Sequence, residues 1–137
     1  MAKLRDKEKI GNYIEFSFLK CIPGDYEGCQ LNFKYYTDDK KIYELDFAWT
    51  NLTIKNYIEV TSNFPVEMLN NFILNNLYTS FENHLNKLEW TELKEEKAYR
   101  LRFSGSQQDF SLNVVDDVVR QFGHDLEAEW EEGLSLA

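Results

Sequence analysis

The sequence predicts a single α+β domain over residues 1–137, in which an antiparallel sheet of four to seven strands packs against one long helix. Three observations lead to this fold class. Apolar residues alternate with polar ones in the first part of the chain, and in the middle they recur every three or four residues. The segments between the alternating runs are too short for crossover helices. A chain of 137 residues is also long enough to bury a core without metal or disulfides.

Alternating apolar residues predict an N-terminal meander of antiparallel strands. The first run covers residues 13–22, the second 29–37 and the third 42–49, with turn residues between them. A fourth apolar run over 54–60 is interpreted as a further strand. Together these runs predict one sheet built from neighbours in the chain.

The middle of the chain shows the period of a helix. Apolar residues recur at intervals of three or four positions, which predicts a long amphipathic α-helix over about 65–88. Its other face is rich in asparagine, a mediocre helix former, so this helix depends on packing. The apolar stripe consists of Leu69, Phe72, Ile73, Leu77, Phe81, Leu85 and Leu88.

After this segment, alternation over 99–103 and 110–114 predicts two more strands. The acidic C-terminal segment 116–132 fits two structures. An apolar stripe from Val118 to Trp130 suits a helix, whereas acids alternating with apolar residues suit an edge strand. Gly123 also weakens a helix by about 1 kcal/mol relative to alanine. We favour the helix.

The charge is strongly acidic and uneven. Lys and Arg number 15 against 24 Asp and Glu, which gives a net charge of −9. Residues 109–137 carry eight carboxylates and Arg120 as their one base, a net charge of −7. This balance argues against general binding of nucleic acid phosphates. Arg100 and Arg102 alternate with aromatic residues, and we expect them to pair with acids of a neighbouring strand.

Motifs for catalysis or cofactor binding are absent from the sequence. There is no glycine-rich phosphate loop, and Cys21, Cys29, His84 and His124 have no zinc-site spacing. We therefore expect no enzyme activity, no catalytic residues, no cofactor and no metal. The chain also lacks a stretch of 18 apolar residues and a signal-peptide pattern, so we expect a cytoplasmic protein that does not bind membranes.

The two cysteines flank the first predicted turn. If the strands on either side pair as a hairpin, alternation puts Cys29 on the core face and Cys21 on the opposite face. Side chains on opposite faces do not reach disulfide geometry, so we predict two free thiols. A β-bulge would bring the two cysteines together.

Candidate partner-binding residues fall into two acidic groups. Acids among tyrosines suit an arginine- or lysine-rich partner, because tyrosine adds contact area at little entropy cost. The C-terminal group is Asp125, Glu127, Glu129, Glu131 and Glu132. The second group, predicted on the outer face of the sheet, is Glu15, Glu44, Asp46, Glu59, Tyr36 and Tyr57.

These features predict a non-catalytic acidic protein that neutralises or inhibits a basic protein partner, for example a nuclease toxin. The chain resembles toxin-immunity proteins and phage-encoded inhibitors in general type, and its residue usage suits an AT-rich bacterial or phage genome. Two alternatives stay open. One is a small-molecule-binding domain or enzyme with a pocket between helix and sheet. The other is a structural subunit that forms a homodimer or larger assembly through an exposed sheet edge.

Overall fold

The computed structural model describes residues 1–66, 71–75, 77, 82, 84, 85, 87–105 and 108–137. Within these residues, eight strands form two antiparallel four-stranded sheets, and two α-helices pack beside them. The predicted α+β class and the antiparallel pairing are confirmed.

Strands follow one another in chain order within each sheet. The first sheet consists of β1 (Ala2–Arg5), β2 (Tyr13–Cys21), β3 (Gly28–Thr37) and β4 (Lys40–Thr50). The second consists of β5 (Asn71–Asn75), β6 (Lys87–Leu93), β7 (Ala98–Gly105) and β8 (Gln108–Val114), with a 3-10 turn at Lys94–Glu96. The helices are α1 (Asn51–Ser62) and α2 (Asp116–Ser135).

The N-terminal meander is confirmed for its first three strands, which are β2, β3 and β4. The fourth predicted strand is wrong, because residues 54–60 belong to α1. Ile54 and Ile58 lie one helical turn apart and are both buried, so their spacing marks a helix face. The Thr50 side chain accepts a hydrogen bond from the Thr53 N–H at 3.3 Å and caps the start of this helix.

The predicted long helix over 65–88 is also wrong. The described parts of this segment contain all of β5 and the start of β6. Asparagine contributes little to helix stability, and pairing with β7 fixes β6 as a strand whose Leu88 and Trp90 reach the core. Leu69 and Phe81 of the predicted stripe lie outside the described residues.

The C-terminal segment is a helix, as favoured from its sequence. Its buried residues include four members of the predicted stripe, Val119, Phe122, Leu126 and Trp130, whereas Val118, the first member, is 37% exposed. Gly123 is also buried, because a Cβ there would lie 2.5 Å from the Ser62 backbone nitrogen of α1. The glycine thus permits a close approach of the two helices. In the described part of the chain, no helix is long and apolar enough to cross a membrane.

Phe16 lies where the two sheets and α2 meet. Its ring centroid is 5.3 Å from that of Phe33 in β3, 5.9 Å from Phe103 in β7 and 5.7 Å from Phe122 in α2. Such aromatic contacts add about 0.5–1.5 kcal/mol per pair to simple burial. One apolar core therefore joins both sheets to α2.

The two cysteines lie on the same face, so their predicted assignment to opposite faces is wrong. The register of β2 shifts between Phe18 and Lys20, and Leu19 is the extra residue of a β-bulge. A shift by one residue moves the following side chains to the other face. Cys21 consequently faces Cys29 directly, and both are buried free thiols.

Candidate functional site

The outer face of the first sheet contains several predicted binding residues in register. Tyr13 lies opposite Tyr36, and their rings stack with centroids 4.4 Å apart. Glu15 lies opposite Lys34, which in turn lies opposite Glu44 of β4. The structure therefore brings Glu15, Glu44 and Tyr36 onto one face, as the alternation indicates.

Glu15 is neutralised within this face. Its side chain is only 5% exposed, although it lies on the side of the sheet away from the core. The Lys3 Nζ is 3.6 Å from one carboxylate oxygen and the Lys34 Nζ is 3.8 Å from the other. Because this carboxylate is covered and has two cations beside it, it offers little to an incoming base.

Glu44 and Asp46 are joined by an asparagine. The Asn32 Nδ2 donates hydrogen bonds to the Glu44 Oε2 at 2.8 Å and to the Asp46 Oδ1 at 2.7 Å. The Lys41 Nζ lies 2.6 Å from the other oxygen of Glu44. Hydrogen bonds from Lys41 and then Asn32 lower the pKa of the Glu44 carboxyl. The outer sheet face is thus a network of internally paired charges.

Tyr57 and Glu59 do not belong to this face, which corrects the prediction. Both lie on α1, where Tyr57 is 1% exposed and stacks on Trp49 with centroids 4.3 Å apart. Burial raises the pKa of the Tyr57 phenol, so it remains protonated. Glu59 lies on the exposed side of the same helix.

Several acids of α2 also have partners within the protein. Asp116 and Asp117 both form ion pairs with Arg120 in the first turns of the helix. The Gln121 Nε2 donates to the Asp125 Oδ1 at 2.9 Å. One oxygen of Glu129 lies 3.0 Å from the N-terminal ammonium of Met1.

Glu129 is the one half-buried acid in the C-terminal half of α2. Burial raises the pKa of its carboxyl, although the ammonium of Met1 acts in the opposite direction. Its second oxygen is buried and has no hydrogen-bond partner among the described residues. Glu129 therefore fastens the N-terminus to α2, and its side chain is only 23% exposed.

Three acids of the predicted C-terminal group differ from these: Glu127, Glu131 and Glu132, which we call the acidic face. All three are exposed. In the described part of the chain, no basic group lies within 4.0 Å of their carboxylates. Glu127 and Glu131 lie one helical turn apart, where like charges destabilise a helix by about 0.2–0.5 kcal/mol.

A groove between α1 and α2 extends from this acidic face. It encloses about 380 Å³ and is lined by Glu59 of α1 and Glu127 of α2. Lys55 and His124 also line it, and the Lys55 Nζ lies 3.4 Å from the Asp25 carboxylate. Two acids from separate predicted groups therefore meet at one surface.

Exposed apolar residues lie beyond the other end of the acidic face. Leu19, in the β-bulge, is 55% exposed, and Leu136 after α2 is 80% exposed. Both line a hollow of about 290 Å³ beside Gly133. Exposed apolar side chains beside charged ones are typical of protein-binding surfaces.

A buried polar network, which sequence reasoning missed, supports this end of α2. The Trp130 Nε1 donates to the Asn51 Oδ1 at 2.9 Å. The Asn51 Nδ2 donates to the carbonyl oxygens of Ile22 at 2.9 Å and Gly24 at 2.6 Å. No local pattern in the sequence indicates contacts between residues 79 positions apart.

The arginine stripe of β7 shows the expected cross-strand pairing at Arg102. This side chain makes a bidentate contact with Asp109 of β8, at 2.7 and 2.6 Å, and lies 3.5 Å from Glu89 of β6. Across the residues that the structure describes, no group of three or more His, Cys, Asp or Glu side chains is arranged to hold a metal ion.

Comparison with known proteins adds no relative: no family model, curated protein or solved structure matches the chain.

Proposed function

We propose that this protein is a non-catalytic acidic binding protein that neutralises a basic protein partner, and that it docks that partner through the acidic face of α2. The observation that supports this most strongly is the contrast between two sets of acids. Those of the sheet and of the first turns of α2 have cations or amide donors beside them. Glu127, Glu131 and Glu132 are exposed, and none of the described basic groups lies within 4.0 Å of their carboxylates.

Electrostatics gives this face a physical reason to bind. A basic partner relieves the repulsion between Glu127 and Glu131, and the summed negative field steers it during diffusion. Interactions of this kind weaken as salt rises, because the Debye length falls to about 8 Å at physiological ionic strength. The proposal thus requires salt-sensitive association.

Residues around the acidic face add apolar contact area and one more acid to the proposed binding surface. Leu19 and Leu136 lie next to the C-terminal end of α2, and Glu59 lies across the groove from Glu127. A partner with lysines or arginines around an apolar residue fits this combination, since apolar contact supplies affinity and charge supplies orientation. A nuclease toxin meets the requirement, because its substrate-binding surface carries cations for phosphates.

The experiment uses three versions of the full chain as capture baits. One is the natural sequence, one carries Glu127→Gln, Glu131→Gln and Glu132→Gln, and one carries Glu95→Gln, Glu96→Gln and Asp39→Asn. The last changes the net charge equally at exposed positions elsewhere. We expect a basic protein that is retained at low salt by the natural and control baits and lost from the α2 variant. Equal retention by all three baits would contradict the proposal.

A small-molecule site is the second candidate, favoured by one cavity. It encloses about 270 Å³ beside β3 and β4 and is lined by Tyr26, Trp49 and Glu82. The Trp49 indole N–H is buried without a hydrogen-bond partner among the described residues. Anything that binds only the folded state raises the melting temperature, so thermal shift against a metabolite library tests this reading. Light scattering at several concentrations tests the remaining alternative, a homodimer or larger assembly.

A further inference from the structure

Cys21 and Cys29 are placed as a cross-strand thiol pair. They face each other in the register of β2 and β3, and their Sγ atoms are 2.7 Å apart. A disulfide bond is about 2.04 Å long, so little movement separates the two thiols from bonding distance. Both side chains are buried, at 6% and 2% exposure.

The backbone at this position suits a disulfide. The Ile22 N–H donates to the Gly28 carbonyl at 3.0 Å, which makes these neighbours a hydrogen-bonded pair. Cys21 and Cys29 therefore occupy the adjacent non-hydrogen-bonded position, where facing Cα atoms are about 4.5 Å apart. That spacing lies within the range of about 4.4–6.8 Å observed for disulfides.

The two thiols are reached from different sides. Cys29 lines the cavity that contains Tyr26 and Trp49, whereas Cys21 lines the hollow beside Gly133 and Leu136. Burial raises the pKa of the Cys29 thiol, which keeps the thiolate scarce. Exchange reactions at this pair are consequently slow at neutral pH.

We propose that Cys21 and Cys29 are a redox modification site. A low-molecular-weight disulfide such as oxidised glutathione oxidises the pair, by thiol–disulfide exchange, to a reversible intramolecular disulfide. One cysteine, as thiolate, attacks a sulfur of oxidised glutathione and releases one glutathione thiol. The second cysteine then attacks the mixed disulfide and releases another. The protein gives up two electrons and two protons, which reduce the oxidant to two thiols.

The pair lies at a junction between the hairpin and both helices. A Cβ at Gly133 would lie 2.6 Å from the Cys21 Sγ, so the last turn of α2 packs directly on this sulfur. The Cys29 Sγ is 3.7 Å from the Asn51 Oδ1, which also receives the Trp130 indole N–H. A change of redox state would therefore alter contacts that hold α2. This consequence does not depend on whether the acids of α2 bind a partner.

The test equilibrates the purified full chain with mixtures of oxidised and reduced glutathione, quenches with acid, alkylates under denaturing conditions and measures intact mass. The same titration in concentrated urea gives the value for the unfolded chain. We expect the oxidised chain to carry no alkyl groups and to weigh two hydrogens less than the reduced chain, and we expect dithiothreitol to return both thiols. We expect the effective concentration of one cysteine thiol toward the other to be at least tenfold higher in the folded chain than in the urea-unfolded chain. Cys21→Ser and Cys29→Ser are controls that cannot form it.

Three results would overturn the proposal. The first is a folded chain that keeps two alkylatable cysteines at every ratio of oxidised to reduced glutathione. The second is a reaction that stops at a glutathione adduct on one cysteine. The third is an effective thiol concentration in the folded chain that equals or falls below that of the urea-unfolded chain. The urea comparison does not depend on whether the serine variants fold.

Discussion

Trp130 of α2 donates its indole N–H to the Asn51 Oδ1 at the first residue of α1, at a distance of 2.9 Å. The same asparagine binds two carbonyl groups of the turn that follows β2. One side chain thus connects a turn, the start of one helix and the last turns of the other. Because the acidic face occupies those last turns, its position depends on this connection.

We expect Asn51→Ala to lower the free energy of unfolding by about 3 kcal/mol. The change leaves the buried indole N–H and two carbonyl groups without their partner, and each unsatisfied group costs about 1–3 kcal/mol. Urea unfolding followed by circular dichroism measures the difference. Asn56→Ala on the same helix is the control, with an expected effect within about 0.5 kcal/mol. Equal effects of the two changes would show that the network contributes nothing.

We expect Gly123→Ala to destabilise the protein by about 1–3 kcal/mol, although alanine is the better helix former by about 1 kcal/mol. The added Cβ would lie 2.5 Å from the Ser62 nitrogen and 2.6 Å from the Thr61 Oγ1. Gln121→Ala, on the exposed side of α2, is the matched control. A stabilised Gly123→Ala protein in thermal unfolding would contradict the close packing of the two helices.

Asp6 is expected to make the free energy of unfolding fall at acid pH. Burial acts to raise the pKa of its carboxyl, but backbone N–H groups of Lys9, Asn113 and Glu8 outweigh it and leave the pKa lowered. The resulting stability is present above the unfolded value near 3.8 and is lost as pH falls through the folded pKa. We therefore expect Asp6→Ala to cost about 1–2 kcal/mol at pH 7 and progressively less as the pH falls below 3.8. A constant difference across that range in urea titrations would show that ionisation is irrelevant.

Glu129 is expected to have the opposite effect to Asp6, because it lowers the free energy of unfolding as the pH rises. Burial raises the pKa of its carboxyl, so its ionised form is penalised in the folded protein as pH rises through that pKa. We expect Glu129→Gln to be more stable than the natural chain at pH 7 and equal to it below the unfolded value of 4.5. Glu95→Gln, at an exposed position outside α2, provides the control. A Glu129→Gln protein less stable at pH 7 would show that the ion pair with the N-terminus outweighs burial.

Regular alternation made several strands predictable from the sequence. The runs now seen as β4, β7 and β8 bury one face and leave the other more exposed, which is the pattern that alternation indicates, whereas β2 and β3 also bury residues of their outer face. The apolar stripe of α2 favoured the observed helix over the alternative edge strand. In each case the local pattern and the tertiary packing agree.

Other elements were not predictable, because tertiary contacts outweigh local pattern there. Ile54 and Ile58 fit either period in so short a run. The asparagine-rich middle segment has helical spacing, yet strand pairing with β7 determines its structure around β6. The β1 strand is four residues long and carries Lys3 and Arg5, too short for a period to show.

The residues of the candidate site were predictable from the sequence, but which of them lie together was not. Charge counting identified Glu127, Glu131 and Glu132. The neutralisation of Glu15 depends on lysines of neighbouring strands, and that of Glu44 on Lys41 of its own strand and on Asn32 of β3. Glu59 and Glu127 are 68 positions apart in the sequence, and they line one groove only because α1 packs against α2. The facing cysteines depend on one extra residue, Leu19, that alternation alone does not reveal.

The central claim is that the acidic face of α2 docks a basic protein. The most direct test is the association rate constant, by stopped flow, of the captured partner with the natural chain and with the Glu127→Gln, Glu131→Gln, Glu132→Gln variant over a range of salt concentrations. We predict that the variant associates about tenfold more slowly at low salt and shows a weaker salt dependence, while the charge-matched control keeps the natural rate. Equal rates for the variant and the natural chain at low salt would contradict the claim.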